Sequence, residues 1–305
     1  MRGYVAGRLL LFLPAMLGVV TLVFFLGRAL PGDPVDLMLG EGAPAERREE
    51  LRRALHLDDP LPMQYGRYLW DLSRGRLGVS LRTRRPVAEE LAAALPQTAR
   101  LAGAALGLAV LLALPAALAS ARGGAARRWV RAATSAGLSL PTFFLGPVLL
   151  LVFAVWQPWF PVSGADEPGA WFLPAVTLAV PTSALLCRLL SASLSEEMGR
   201  EYLTAARARG LGEGTAFRRH GLRNALLPAV TVLGLQLGGL LTGAILTERI
   251  FRWPGLGTLV LGAIGSRDYP VLQGAVLLFA LLTLAATLAT DLLYGFLDPR
   301  IRRDG

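Results

Sequence analysis

The chain has 305 residues, of which 53% are hydrophobic, and it carries a formal net charge of +9. Its charged residues occur in blocks between long apolar stretches, a distribution that excludes an ordinary soluble globular domain. All 31 basic residues are arginines, and they flank the apolar stretches instead of forming one basic face. The charge therefore indicates membrane topology, and no nucleic-acid partner is expected.

Six apolar runs are long enough to cross a bilayer as helices, since about 20 residues span its hydrocarbon core. They lie at 9–27, 99–120, 132–156, 171–191, 225–247 and 271–297. The first run resembles a secretory signal peptide in following Arg2 and Arg8, but it contains Pro14 and lacks a small-residue cleavage site. An uncleaved first helix is therefore favoured. The predicted fold is an all-α integral membrane protein with six transmembrane helices.

The arginine distribution predicts the orientation of these helices, because cytoplasmic loops are enriched in arginine. Residues 121–131 carry four arginines and no acid, whereas 157–170 carry two acids and no arginine. The first segment is predicted to be cytoplasmic and the second external, which places both termini in the cytoplasm. The chain then divides into 1–29 with the first helix, an external domain at 30–96 and a core with helices two to six at 97–305.

The external domain carries nearly equal numbers of arginines and acids, and long loops cross a membrane largely regardless of charge. Prolines that include Pro60 and Pro62 are expected to break it into short pieces. Residues 45–57 are predicted to form a charged helix with opposite charges three and four positions apart. A solvated cap and a docking platform for another protein are the two open interpretations.

The sequence excludes several catalytic functions. A nucleotide-binding P-loop needs a lysine, and the chain has none. His56 and His220 lie on opposite predicted sides of the membrane, so they do not form an H-E-x-x-H zinc site. An ion-coupled carrier would need ionisable groups at mid-membrane, but those within or beside the runs lie near their ends: Arg100, Arg188, Glu248 and Asp291. No catalytic residue, metal site or cofactor site is expected.

Residues 195–226 form a polar, arginine-rich insert between the fourth and fifth runs. Positions 196–209 predict a helix, and Gly210 follows its basic last turn as a glycine follows many helices. A turn at 211–214 and a second short helix at 215–226 are expected to complete the insert. The adjacent alanines at 205 and 206 leave a shallow helix surface that suits docking into a groove. A solvated charged loop is the alternative.

Small residues predict close helix packing at three glycine pairs, namely Gly103/Gly107, Gly234/Gly238 and Gly239/Gly243. Gln236 lies at mid-depth in the fifth run and is expected to hydrogen-bond another helix or to line a pathway. After that run, residues 253–257 must turn the chain, and Phe251 and Trp253 suit the membrane interface. Residues 258–265 are too short to span and predict a surface or re-entrant helix.

The insert resembles the EAA loop of binding-protein-dependent ABC importer permeases, whose pattern is E-A-A, three residues, G, nine residues and I-x-L-P. Thr204, Ala205 and Ala206 occupy the E-A-A positions and Gly210 the glycine position. The ending departs from the pattern, because an L-P pair occurs five residues late, at 227–228. A late L-P pair is similar to the dipeptide, oligopeptide and nickel branch. Further blocks resemble the first permease subunit of that branch: 75–98, 139–146, 248–270 and 291–302.

The resemblance implies an ABC type I importer permease (MetI-like) fold in a bacterial cell membrane. The implied function is to form the translocation path for dipeptides, oligopeptides or related small solutes. The implied partners are a second homologous permease subunit, two ABC ATPase subunits that bind ATP and Mg²⁺, an external solute-binding protein and the lipid bilayer. An ion-coupled carrier, a membrane scaffold and a membrane enzyme are the alternative classes.

The resemblance also implies roles for particular residues. Those expected to couple the ATPase subunits to transport are Thr204, Ala205, Ala206, Arg207, Arg209, Gly210 and Leu211. Those expected in an external-loop motif near the mouth of the path are Glu248, Phe251, Pro254, Gly255 and Gly257. Pathway or helix-packing roles are expected for Gln236, Gly238, Gly239 and Gly243.

Overall fold

The computed structural model describes residues 2–29, 34–39, 42–54, 56–121 and 123–297. The predicted C-terminal block 291–302 therefore lies partly outside the described residues. The helices in chain order are α1 (Arg2–Ala29), α2 (Pro34–Leu39), α3 (Ala45–Ala54), α4 (Leu61–Ser73), α5 (Val87–Ala121), α6 (Gly124–Ser139), α7 (Thr142–Leu150), α8 (Phe172–Met198), α9 (Glu201–Ala208), α10 (Glu213–Ala216), α11 (Leu222–Gly243), α12 (Ile245–Ile250), α13 (Leu256–Gly265) and α14 (Tyr269–Leu297). Two π-helical turns, Leu151–Trp156 and Phe217–Gly221, extend α7 and join α10 to α11.

Four of these helices, α5, α8, α11 and α14, are long and apolar enough to cross a membrane. The bent pair of α6 and α7 makes a fifth candidate if it is counted as one span. In α1 the described apolar stretch, Leu10–Phe25, is shorter. Six crossings therefore stay a prediction for the chain, whereas its all-helical membrane architecture is confirmed.

The predicted third span, 132–156, is not one straight helix. Its two halves, α6 and the extended α7, meet at an angle of 99°. The break falls at Leu140, which has an extended backbone with ψ of 115°. The following residue is Pro141, whose ring disfavours helical backbone at the position before it and which has no amide hydrogen to donate. The apolar composition hid this break.

The centre of the molecule is the packing of α5 against α8. A stripe of alanines three or four positions apart lies on the buried face of α5, and none is more than 1% exposed: Ala102, Ala105, Ala109, Ala113 and Ala117. Small side chains let two helix backbones approach closely. The prediction that Gly103 and Gly107 do this is wrong, since no atom lies within 4 Å of a methyl group built at either glycine.

Helix α11 packs against α14 through its small residues. A methyl group added to Gly234 would overlap the Thr290 side chain, so only glycine permits this crossing. Gly238 contacts the same helix at ordinary van der Waals distance. Both glycines of the predicted pair therefore lie where α11 contacts α14. Gly239 is exposed with open space beside it, and the surroundings of Gly243 lie outside the described residues.

The predicted external domain packs on the membrane helices through α4, which was not predicted. Pro60 and Pro62 were interpreted as breaks, but they stand at the start of α4, where a backbone amide needs no partner within the helix. The hydroxyls of Tyr65 and Thr21 are 2.6 Å apart, which ties α4 to α1. The charged helix predicted at 45–57 is present as α3 but ends at residue 54.

Candidate functional site

Helix α11 joins the two groups of residues that the sequence singled out. Its 22 residues extend about 33 Å, from Leu222 beside the insert to Gly243 before α12. We call the end that carries α9 and α10 the insert end, and the end that carries α12 and α13 the loop end. The two groups therefore lie at opposite ends of one helix.

At the insert end, α9 is closed by a glycine cap. Gly210 has a φ of +86°, a conformation that side-chain-bearing residues rarely adopt. Its amide donates to the Arg207 carbonyl at 2.9 Å, and the Leu211 amide donates to the Ala206 carbonyl at 3.3 Å. These two bonds form a Schellman motif, as the glycine after a basic last turn predicted. The predicted second helix is not separate, because α10 continues through the π-helical turn into α11.

One face of α9 packs inward. Leu203 and Ala206 are buried against Ala216, with Leu211 and Phe217 partly buried beside them. Two of the residues assigned to docking, Ala206 and Leu211, therefore hold α9 against α10 instead of facing outward. The inward direction follows from helical periodicity, because positions 203 and 206 share a face.

The surface of α9 and of the turn after it that lies away from this inner face is exposed, and apart from Glu201 and Tyr202 it carries small or basic side chains. Its exposed members from the predicted docking set are Thr204, Ala205, Arg207, Arg209 and Gly210. The Arg207 guanidinium donates to the Leu203 carbonyl and to the Thr204 hydroxyl, each at 3.3 Å. This face is available to a second protein, and its role in docking stays a prediction.

Polar side chains that sequence reasoning missed tie α9 to its neighbours. The Tyr202 hydroxyl hydrogen-bonds the Glu197 carboxylate at the end of α8. The Asn224 amide on α11 donates to the Glu197 carboxylate at 3.4 Å and to the Tyr202 oxygen at 3.3 Å. Partial burial and the neighbouring Glu197 carboxylate raise the pKa of the Tyr202 phenol, so the phenol remains a donor. No local sequence motif predicts this cluster, because its members come from three helices.

At the loop end, the Glu248 carboxylate is completely buried and fully hydrogen-bonded. One oxygen accepts from the Thr98 hydroxyl on α5 at 2.7 Å. The other oxygen accepts from the backbone amides of Gly257 at 2.8 Å and Thr258 at 3.1 Å. These amides begin α13, where helix amides lack partners within the helix. Glu248 therefore caps α13 and links it to α5.

The glycines of the external-loop motif make room for this carboxylate. A methyl group at Gly255 would overlap the Glu248 carboxylate, and one at Gly257 would overlap the Ile245 backbone. Thr98 completes the network by accepting a hydrogen bond from the Leu256 amide at 2.8 Å. The glycines thus bring α12 and α13 into backbone contact.

The aromatic residues of the motif are buried, although Phe251 and Trp253 were expected at the membrane interface. Phe251 is 2% exposed and packs in a cluster with Ala154 and Leu173. Trp253 is 1% exposed, and its indole N–H donates to the Gln97 carbonyl at 3.0 Å. A tryptophan can be buried at low cost when its N–H has an acceptor. Pro254 is exposed at the turn.

A second buried carboxylate, Asp268, also escaped sequence reasoning. It accepts hydrogen bonds from the Ser80 hydroxyl and from the backbone amides of Leu81 at 3.1 Å and Arg82 at 3.3 Å. Asp268 lies between α13 and α14, and residues 80–82 belong to the predicted external domain. That domain is therefore pinned to the core at the loop end.

The favoured prediction for Gln236, a hydrogen bond to another helix, is not met in the part of the chain that the structure describes. Its side chain is half-buried, and no protein group there bonds to it. The alternative, that it lines a pathway, stays a prediction. The His220 side chain lies outside the described residues. Nor do three His, Cys, Asp or Glu side chains converge as metal ligands within the described ranges.

Two family models match the chain. The first is "Binding-protein-dependent transport system inner membrane component", over residues 105–303. The second is the N-terminal membrane component of the same transport systems, over residues 1–102. Together they cover almost all of the chain.

Curated relatives match along the whole length. The glutathione transport system permease protein GsiC of Pectobacterium atrosepticum is 40% identical over 304 residues, which is 99% of each chain. The protein of the same name from Escherichia coli K12 is 39% identical, again over 99% of each chain.

Two solved structures share the fold. The inward-facing MetNI methionine ABC transporter matches with a TM-score of 0.55 and 17% identity, over 68% of this chain and 96% of that chain. An amino acid ABC transporter with histidines matches with a TM-score of 0.53 and 16% identity, over 70% of this chain and 94% of that chain.

Proposed function

Because the chain belongs to the family of binding-protein-dependent transport system inner membrane components, as a multi-pass permease subunit of an ABC importer, we propose that it forms the membrane path for peptide-like solutes. The relatives that are 39–40% identical along their whole length are named as glutathione permeases, and glutathione is a short peptide with free carboxylates. The chain is a transport subunit, and ATP hydrolysis belongs to partner subunits.

The proposed complex contains this chain, a second homologous permease, two ATPase subunits and a solute-binding protein. In it, the ATPase subunits bind ATP and Mg²⁺, and both termini of this chain lie in the cytoplasm. The arginine-rich segments at the start of α6 and in the insert support that orientation, because positively charged loops stay inside. The insert end is then cytoplasmic and the loop end external.

The observation that carries the coupling role is the two-sided build of α9. Its inner face is locked to α10 by Leu203 and Ala206, and its outer face exposes Thr204 and Ala205. Small outward side chains let another protein surface approach the helix backbone closely, and the exposed arginines beside them suit acidic groups at its edge. A force that an ATPase subunit exerts on α9 is then transmitted to α10 and α11, because the chain is helical from Glu213 to Gly243.

The test replaces the outward Ala205 and compares two variants. Ala205→Asp adds a charge to the proposed contact, whereas Ala205→Ser changes its size little. Desolvating an unpaired charge in an interface weakens binding by at least about tenfold. We expect Ala205→Asp to lose most ATPase subunits during purification from gently solubilised membranes and to abolish ATP-dependent glutathione uptake in proteoliposomes.

Ala205→Ser is expected to keep both the ATPase subunits and the uptake. Equal recovery of ATPase subunits with both variants would refute the docking role. A wild-type chain that purified alone and moved glutathione without ATP would refute the importer function itself.

A further inference from the structure

An arginine-lined cavity lies between α6 and α8 at the insert end. It has a volume of about 530 Å³ and is open on one side. Arg127 and Arg131 reach it from α6, and Arg188 reaches it from α8. Cavities of about 300–1,000 Å³ hold ligands of drug-like size, so a peptide as short as glutathione fits.

The charge of this cavity is not neutralised within the chain. Its lining contains no acid. Across the described ranges, Arg131 and Arg188 form no ion pair, and Arg127 donates only to the Ser120 carbonyl, at 3.3 Å. Glu196 and Glu197 follow the lining residue Ser195 in α8. They do not neutralise these arginines, because both form ion pairs with Arg200, at 2.6 Å and 3.9 Å. The cavity therefore presents uncompensated guanidinium groups.

Hydroxyl groups supply the other recognition elements. Five serine or threonine residues line the cavity: Ser120, Thr134, Ser135, Ser191 and Ser195. The Thr134 and Ser195 hydroxyls already donate to backbone carbonyls of their own helices, which leaves Ser120 and Ser135 as hydroxyl donors with no partner in the described ranges. A guanidinium beside hydroxyl donors is the arrangement that binds a carboxylate, since the guanidinium fork donates two parallel hydrogen bonds to its oxygens. We propose that this cavity binds a carboxylate of the transported peptide at the cytoplasmic end of the path. The inference rests on the proposed function and names a site within it.

A neighbouring cavity favours a peptide over a lipid headgroup. It has a volume of about 180 Å³ and shares Val130 and Thr134 with the arginine-lined cavity. Its remaining lining is mainly aliphatic, with Leu112 and Val180 as its larger members. It has room for one small side chain near a carboxylate, such as the cysteine side chain of glutathione, and a lipid headgroup carries no such side chain.

The position of the site links it to the insert. Ser195 lies in the last turns of α8, only six residues before α9 begins at Glu201. A movement of α9 therefore displaces the α8 wall of the cavity relative to its α6 wall. Carboxylate affinity at this site then changes with the state of the insert, which is how a solute would be released inward.

The experiment measures binding of tritiated glutathione to the whole complex in phosphatidylcholine nanodiscs, with the binding protein left out. Glutathione diethyl ester, which lacks free carboxylates, serves as the competitor. Arg131→Gln and Arg188→Gln are compared with Arg249→Gln, a control whose exposed side chain lies on α12 at the loop end and does not line this cavity. Arg188→Lys keeps the positive charge but removes the two parallel N–H donors of the guanidinium.

We expect the wild type and Arg249→Gln to bind glutathione and to discriminate against the ester by about tenfold or more. Arg131→Gln and Arg188→Gln should bind about tenfold more weakly and lose the discrimination, and Arg188→Lys should fall between them and the wild type. The melting temperature of each complex, followed by intrinsic tryptophan fluorescence, reports whether each variant is folded. Unchanged binding in folded Arg131→Gln and Arg188→Gln would overturn the proposal.

Two further results would also overturn the proposal. One is equal competition by glutathione and its ester in the wild type. The other is a tightly held anionic phospholipid, detected by native mass spectrometry and lost from Arg131→Gln, which would assign the cavity to a lipid phosphate. ATP-dependent glutathione uptake by the wild-type complex with its binding protein is measured in parallel. Uptake that persists while the binding predictions fail refutes this site alone, and absent uptake refutes the proposed function.

Discussion

The two ends of α11 are built differently. At the loop end, both oxygens of Glu248 are buried and accept hydrogen bonds from α5 and α13, and Asp268 pins the predicted external domain in the same way. At the insert end, polar side chains are exposed, and α9 is held by a small apolar cluster and a tyrosine that is 39% exposed. The loop end is completed by its own chain, whereas the insert end leaves one face of α9 exposed.

The largest loss of stability is expected from removing the Glu248 carboxylate, which holds the loop end together. Glu248→Ala leaves three donors without an acceptor, two of them buried and one partly buried, which we expect to lower the free energy of unfolding by about 3 kcal/mol or more. The chain has one cysteine, and it is buried, so a fluorogenic thiol reagent reports thermal unfolding of the purified protein. The exposed neighbour variant Arg249→Ala is the control. Similar unfolding temperatures for both variants would show that the loop end is not held by this carboxylate.

A smaller effect is expected from Gly257→Ala, because the added methyl group meets the Ile245 backbone. Overpacking of this kind costs about 1–3 kcal/mol. Gly262→Ala on the same helix is the matched control, since no atom lies within 4 Å of its added methyl group. The thiol-reagent assay should show a lower unfolding temperature for Gly257→Ala only. Unchanged unfolding temperatures in both variants would show that the contact of Gly257 with Ile245 does not limit packing at the loop end.

The smallest effect is expected at the insert end, from Gly210→Ala. A left-handed backbone costs a residue with a side chain about 1–2 kcal/mol, while asparagine tolerates it better. Hydrogen exchange of the α9 amides should accelerate by about fivefold or more in Gly210→Ala and less in Gly210→Asn. The unfolding temperature should stay near that of the wild type in both variants. A decrease in unfolding temperature as large as that of Gly257→Ala would show that the insert end contributes as much to global stability as the loop end.

Local sequence patterns predicted the parts of the fold that local forces decide. Apolar length located α5, α8, α11 and α14, and the glycine after a basic turn located the cap of α9. The bend at Leu140 was missed because apolar composition outweighed the proline after it. Helix α4 was missed for the opposite reason, since Pro60 and Pro62 were interpreted as breaks although they begin the helix.

The candidate sites could be predicted only in part, because their partners are distant in sequence. Glu248 was singled out, but its bond to Thr98 joins residues 150 positions apart, and no local pattern contains both. Asp268 and Ser80 are 188 positions apart. On α9, the period of the helix showed that residues 203 and 206 share a face, but only the position of α10 shows that this face is the inner one.

The unbroken helical path from Glu213 to Gly243 makes α10 and α11 a lever. At 1.5 Å per residue this arm is about 45 Å long, so a tilt of about 5° at its base would carry its far end about 4 Å. That far end precedes α12, whose Glu248 clasps α13 and α5. How far such a tilt moves α12 therefore depends on how strongly Glu248 holds α12 to α13 and α5.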